Sequence, residues 1–347
     1  DMKYLFKTIF FIFYALSSLF SQSVEKSLIP GADRSEGRGP FKRMIIRGAT
    51  LINGTGSPPI GPVDIVIENN RITEVKSVGY PNVPINEKKR PKKGDFEIDA
   101  SGHYVLPGFV DMHGHAGSVQ KAPETDYVYK LWLAHGVTTV RGVGLGSLEF
   151  SLKEKIRSKS NEITAPRIWA YQRPGQGKDW KGGAIKDPQN ARKWVRYAAN
   201  KGVDGLKLVS YEPSIMNALI DEAKKQKLGT TAHLGQTGVA RMNTIDAARL
   251  GLGTQTHFYG LFESMYEAND IQPYPVDMNY NNEQDRFGQV ARQWSLVKPN
   301  GVKWESLKKE LISLDLTMDP TMNIYACLLY TSPSPRDQRG SRMPSCA

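Results

Sequence analysis

From Val105 onward the chain alternates short apolar or β-branched runs with amphipathic stretches, and that alternation restricts it to a small set of architectures. The candidate strands are VLPGFVDMHGH, VTTVRGV, PRIWAYQ, GLKLVS, GTTAHL, GTQTHFY and LTMDPTMNI. Between them, Pro188 to Lys201 carries Ala191, Trp194, Val195 and Ala198 on one helical face, and Pro213 to Leu228 does the same with Met216, Leu219, Ile220 and Ala223. Strands separated by helices pair in parallel through right-handed crossovers. The expected fold class is therefore α/β, a (β/α)8 TIM barrel left incomplete because no eighth strand is legible.

The segments before Val105 read differently. Residues 44–104 hold short strands broken by turns such as NGTGSPP and ENN, which predicts a small N-terminal β-sandwich or barrel domain. Residues 24–43 are a linker rich in Gly, Arg and Pro. At residues 1–23, Lys3 and Lys7 precede the apolar run Ile9 to Phe20, and Ser21 and Ser23 follow it. That order predicts a signal peptide starting at Met2, hence a protein exported to the periplasm or beyond the cell. A membrane anchor is the competing interpretation, but a stable span needs about 20 apolar residues.

The C-terminal segment 327–347, CLLYTSPSPRDQRGSRMPSCA, has neither helical nor strand periodicity. It resembles a translated sequencing adaptor, which would end the barrel at 326, before its last strand. Both cysteines, Cys327 and Cys346, lie there. The remainder then has no disulfide and no thiolate ligand. The formal net charge is +11, but no recognition motif accompanies it, so nucleic acid is not an expected partner.

Four of the six histidines, His113, His115, His233 and His257, fall near the C-terminal ends of predicted strands. Barrel enzymes build their sites at that face. His113 and His115 are two residues apart, so on a strand they point the same way and can meet one cation. A single histidine is ordinarily packing or surface; two on one strand face with one on each of two later strands form a ligand pattern. Asp111 precedes the pair on the same face and either orients a histidine or serves as a structural hydrogen-bonding group. His103 belongs to the small domain's edge and His135 to a helix end.

IDASGHYVLPGFVDMHGHAG resembles the opening of the amidohydrolase superfamily. VTTVRGVG, GVDGLKLVS, TTAHLG and GTQTHFYG resemble its second, fourth, fifth and sixth barrel strands, in order. The resemblance spans about residues 44 to 326 and is strongest for the prolidase-like, imidazolonepropionase-related branch. It implies two divalent metals, zinc by expectation. His113 and His115 would hold the more buried one, His233 and His257 the second, and a carboxylated Lys207 would bridge them. An ammonium has no acceptor, whereas a carbamate does. The family's proton-shuttling aspartate, at the end of strand 8, is not found; Asp315 and Asp319 fall in or just before strand 7. The catalytic residue is therefore unknown, and the chain as written is expected to be poorly folded and inactive.

The implied reaction is hydrolysis of a C–N bond, in an amide or small peptide, by a metal-activated hydroxide, with a dipeptidase as the narrower expectation. Deaminases of this type place Glu three residues after the strand 5 histidine; here that residue is Gln236, which cannot act as an acid. Gly142 after Arg141 departs from the Asp of the branch. A mononuclear deaminase or cyclic-amide hydrolase, and a secreted non-catalytic binding protein on a degenerate barrel, remain the alternatives. The expected partner is a small amide or peptide; self-association is left open. Residues 259 to 302 form a long insert whose Tyr259, Tyr266, Tyr274 and Tyr280 are expected to be solvated, with substrate contact as the alternative.

Overall fold

The computed structural model describes residues 27–322 apart from 118, 120–122, 267–271 and 273. The expected leader and the tail 327–347 lie outside the described residues.

The strand-rich N-terminal sequence forms one mixed five-stranded sheet: β1 (Arg43–Leu51), β2 (Ile60–Glu68), β3 (Arg71–Ser77), β4 (Phe96–Asp99) and β5 (Tyr104–Val105). β1 runs antiparallel to β2 and parallel to both β4 and β5. Its buried face gathers Ala49, Val63, Ile65 and Ala100. One charged network is built into it. Arg47 donates to Asp64 at 2.8 Å and to Glu97 at 2.6 Å, so a nearly buried guanidinium is neutralised from two strands.

The second sheet is parallel, in the order β12-β11-β10-β9-β8-β7-β6. Its members are β6 (Phe109–Gly114), β7 (Val137–Val143), β8 (Arg167–Gln172), β9 (Gly205–Val209), β10 (Gly229–His233), β11 (Thr254–Thr256) and β12 (Thr317–Asp319). These are the seven predicted strands in their predicted succession, a partial TIM barrel. Between them run α1 (Thr125–Ala134), α2 (Leu148–Lys159), α3 (Pro188–Lys201), α4 (Pro213–Lys225), α5 (Thr244–Arg249), α6 (Glu283–Gln293) and α7 (Val302–Ser313).

Local chemistry sets the helix ends. Asp187 caps α3 by accepting from the Asn190 amide, Pro188 occupies its first turn, and Gly202 closes it at φ 97°. The buried face of α3 is the predicted one: Ala191, Trp194, Val195 and Ala198. α4 ends at Lys225, three residues short of the predicted Leu228, because Lys227 turns into the left-handed region at φ 57°. Trp194, Leu206, Leu208, Met216 and Leu219 then share one core between the helices and the sheet. The described residues of insert 259–302 include a short 3-10 turn at Glu263–Met265 and the helix α6.

Part of the expected linker is fastened to this layer. The Gly31 amide donates to the buried Glu154 at 2.8 Å, and Arg157 joins Glu154 and Asp33. At the other side of the sheet, β6 and β12 are its two edges among the described residues. Phe109, Val110 and Met112 on β6 are exposed.

Candidate metal centre

Why the first strand reads His-Gly-His becomes clear from its neighbours. A Cβ at Gly114 would fall 2.2 Å from Val140 Cγ2 and 2.9 Å from Trp132, so the outward position between the two histidines admits only glycine. His113 and His115 consequently share the inward face, with ring centroids 5.3 Å apart. Asp111 accepts from the His113 amide at 2.8 Å, a hydrogen bond to the backbone of the strand. β10 ends on His233, and His257 follows β11 directly, at φ 63°. That left-handed backbone is uncommon outside glycine and asparagine.

The four rings form a chain. His113 and His257 lie 5.0 Å apart between centroids, and His257 and His233 lie 4.7 Å apart. Lys207, from the middle of β9, is only 3% exposed, and its Nζ lies 3.5 Å from His113 Nε2. It donates to Thr256 Oγ1 at 3.1 Å, and that hydroxyl in turn donates to the Ala232 carbonyl at 2.9 Å. Lys207 makes no ion pair among the described residues. Burial, with Arg141 and Arg173 nearby, pulls its pKa down to about 7. Burial and the Lys207 charge lower His113 far below the imidazole range and His233 to about 3. Burial, then His233 and Lys207, bring His257 to about 2. His115, at the rim, is lowered by the protein packed around it and by Lys207. The imidazoles are thus neutral near pH 7, the form that can ligate a cation.

Beneath the rings lies a residue that carried no role in the sequence. Arg141, 5% exposed, spans the barrel interior from β7. Its Nε donates to the Met112 carbonyl at 2.7 Å, Nη1 to Thr254 Oγ1 at 3.1 Å, and Nη2 to Asp319 Oδ2 at 2.9 Å. Its guanidinium also sits 5.3 Å from the centre of the Tyr171 ring. Tyr171 reaches under β9 and β10, where a Cβ on Gly229 would fall 2.0 Å from its hydroxyl oxygen. Asp319, placed by the sequence in or just before the seventh strand, ends β12 and lies 3.8 Å from His113 Nδ1. A single Arg inside VTTVRGV and an Asp closing a strand were the available signals: charges in apolar runs are buried only with partners.

Tyr259 corrects an expectation. It is 1% exposed rather than solvated, because it packs on His233 and His257 at 4.9 and 5.8 Å between ring centres. Tyr280 is exposed, as a loop aromatic should be, and Tyr274 accepts from Gln293. Gln236 is buried and donates to the Arg286 carbonyl at 3.2 Å. His103 and His135 stay outside the cluster, each bonded locally, to the Ser101 and Leu131 carbonyls.

Do these residues fit a metal? Two imidazoles bonded to one ion at about 2.1 Å, at a tetrahedral angle, have centres roughly 5 Å apart, the spacing this ring chain shows. Their neutrality fits as well. Against this, no three His, Cys, Asp or Glu side chains among the described residues already converge on one point. The charge count gives the reason. Lys207, Arg141 and Arg173 all act on this cluster as cations, and Asp319 is the carboxylate that opposes them at Lys207. A dication needs more negative charge there than lysine as an ammonium allows. The donor set fits, provided Lys207 is not cationic.

No family model matches the chain. A stretch of 73 residues is 40% identical to a dihydroorotase of Thermoanaerobacter sp. (strain X514), covering 21% of this chain and 14% of that protein. Another, of 83 residues, is 37% identical to an adenine deaminase of Bacillus subtilis (strain 168), again covering 14% of the relative. The matches therefore span a small part of these enzymes' lengths. Among solved structures, a Xaa-Pro dipeptidase with methionine bound in its active site superposes with a TM-score of 0.50 at 18% identity, over 80% of this chain and 79% of that one. A prolidase complexed with N-methylphosphonate-L-proline gives 0.50 at 17%, over 80% and 77%. The chain carries the fold of the amidohydrolase superfamily, and shares a stretch of sequence with two of that superfamily's enzymes.

Proposed function

We propose that this chain is a metal-dependent hydrolase of C–N bonds, acting on a small amide or peptide at the C-terminal mouth of the barrel. The observation that carries it is the cluster of four neutral imidazoles around a buried lysine that makes no ion pair among the described residues. His113 and His115 would hold one ion, His233 and His257 a second, with Lys207 as a carbamate between them. A lysine whose pKa lies near 7 is about half uncharged at neutral pH, and the free amine is the form that adds carbon dioxide. Carbamate formation turns a positive charge into a negative one where cations are in excess. Bound divalent metal, zinc being the proposed ion, supplies Lewis acidity and lowers the pKa of a water. The protein's part is to hold the imidazoles neutral, to aim them, and to wall the site with Tyr259.

A second interpretation is a mononuclear deaminase or cyclic-amide hydrolase on the same fold; the short stretches similar to an adenine deaminase and a dihydroorotase support those reaction classes without bearing on the metal count. Gln236 bonded to the Arg286 carbonyl argues against the deaminase form of it, since an amide cannot deliver a proton. Dipeptidase activity is the narrower proposal, supported by the shared fold of the two structural relatives. Export is proposed from the leader-like residues 1–23. No described helix is long and apolar enough to cross a membrane.

Elemental analysis of the purified chain tests the centre: two ions per chain support the binuclear reading, one supports the mononuclear, and fewer than one sinks both. Lys207→Ala should remove the second ion; an unchanged metal content would remove the bridge. Hydrolysis of dipeptides against cyclic amides then separates the substrate classes.

A further inference from the structure

His113 has two ring nitrogens and two different sets of neighbours. Nε2 faces Lys207 Nζ at 3.5 Å. Nδ1 faces Thr321 Oγ1 at 3.4 Å and Asp319 Oδ2 at 3.8 Å. Both of these come from the end of β12, at the opposite edge of the sheet from β6. The first distance is a long hydrogen bond and the second an electrostatic contact. Neither neighbour is placed casually. Asp319 is held by Arg141 at 2.9 Å, from a guanidinium whose other nitrogens are bonded to Met112 on β6 and Thr254 on β11. Thr321 adopts φ 57°, a left-handed backbone that costs a β-branched residue free energy. That turn carries its hydroxyl to the ring.

We propose that the end of β12 is a positioning element for His113: Asp319, held by Arg141, and Thr321 present acceptors to Nδ1 and thereby keep Nε2 directed at Lys207. A neutral imidazole carries one proton. With acceptors on the Nδ1 side, the proton sits there and Nε2 keeps its lone pair for a ligand. The carboxylate that orients this histidine is thus contributed from across the seam between the two edge strands, 178 residues from the arginine that holds it. The inference rests on the metal-centre reading for its consequence, but the tautomer it assigns belongs to the chain alone.

Two measurements on the full chain test it. The first is the ring nitrogen shifts of His113 after metal is stripped with a chelator, comparing the parent with Asp319→Ala, Arg141→Met and Thr321→Val. The parent should show a protonated Nδ1, and Asp319→Ala combined with Thr321→Val should mix the tautomers. The second is zinc affinity by competition with a chromophoric chelator, where Asp319→Ala and Arg141→Met should each weaken binding roughly 10- to 100-fold. Leu206→Val, in the helix-backed core, lowers stability without touching the ring and should leave both readouts unchanged. The proposal is overturned if Asp319→Ala binds zinc within twofold of the parent and the His113 shifts do not move. If the parent itself binds no zinc, the metal centre fails, and the nitrogen shifts alone decide the positioning role.

Discussion

The two halves of the parallel sheet are built on different principles. Around β9 and β10, helices α3 and α4 cover the strands, and Trp194, Leu206, Leu208 and Leu219 are completely buried. Around β6 and β12 the apolar side chains Phe109, Val110 and Met112 are exposed, and order comes from Arg141 and its carbonyl, hydroxyl and carboxylate partners. The helix-backed half is held by burial, which is non-directional and tolerant. The seam is held by directional bonds to one guanidinium, where losing a partner leaves a buried charge unpaired. The candidate site stands on the boundary: Lys207, His233 and His257 come from the first half or its border, His113 and His115 from the second.

That contrast can be broken from either side. The largest effect on stability is expected from Trp194→Ala, about 3–5 kcal/mol by denaturant unfolding, because the cavity cannot collapse between α3 and the sheet. If the halves are as distinct as described, the folded fraction of that variant keeps its metal content. Next is Arg141→Met, which strands Asp319; since that carboxylate retains some solvent, a loss of about 2–3 kcal/mol is expected. Arg141→Met with Asp319→Leu should recover part of it, while zinc affinity stays low. Recovery of both would mean that the pair serves stability alone.

The small sheet offers a milder, pH-dependent comparison. Its hydrogen bond from Arg47 holds the Glu97 carboxyl below the ordinary value of 4.5. The unfolded chain therefore binds more protons in the window between the lowered and the ordinary pKa. Stability rises with pH through that window, is fully present above it, and is lost as the pH falls toward the lowered value. Glu97→Gln should remove about 0.5–1 kcal/mol at pH 7 and flatten the acid limb of the melting profile. The smallest effect is expected at Val110, which is 55% exposed. Val110→Lys should change stability by less than about 0.5 kcal/mol yet reduce self-association in light scattering, since charge blunts a free edge.

How much of this was legible beforehand follows the same division. Helix α3 and its buried face were readable because apolar periodicity and a start at Pro188 are local properties. The His-Gly-His strand and the ends of β10 and β11 were readable for the same reason: the histidines lie at fixed offsets in β-type runs. Tyr259 was misjudged because its burial depends on two rings from other strands, which a Tyr-rich loop does not announce. Arg141, Asp319 and Thr321 were missed as site residues because their partners are long-range, and nothing in VTTVRGV or TMDPTM specifies which strand the other faces.

The bond between Arg141 and Asp319 also has a consequence for how the molecule is made. A ribosome adds about 5–20 residues per second, so roughly 10–40 s separate the synthesis of the guanidinium from that of its carboxylate. During that interval the first histidine pair is complete in sequence but not yet oriented. The emerging chain can bury its helix-backed strands well before Asp319 reaches Arg141, which makes vectorial growth itself a delay on assembly of the candidate site.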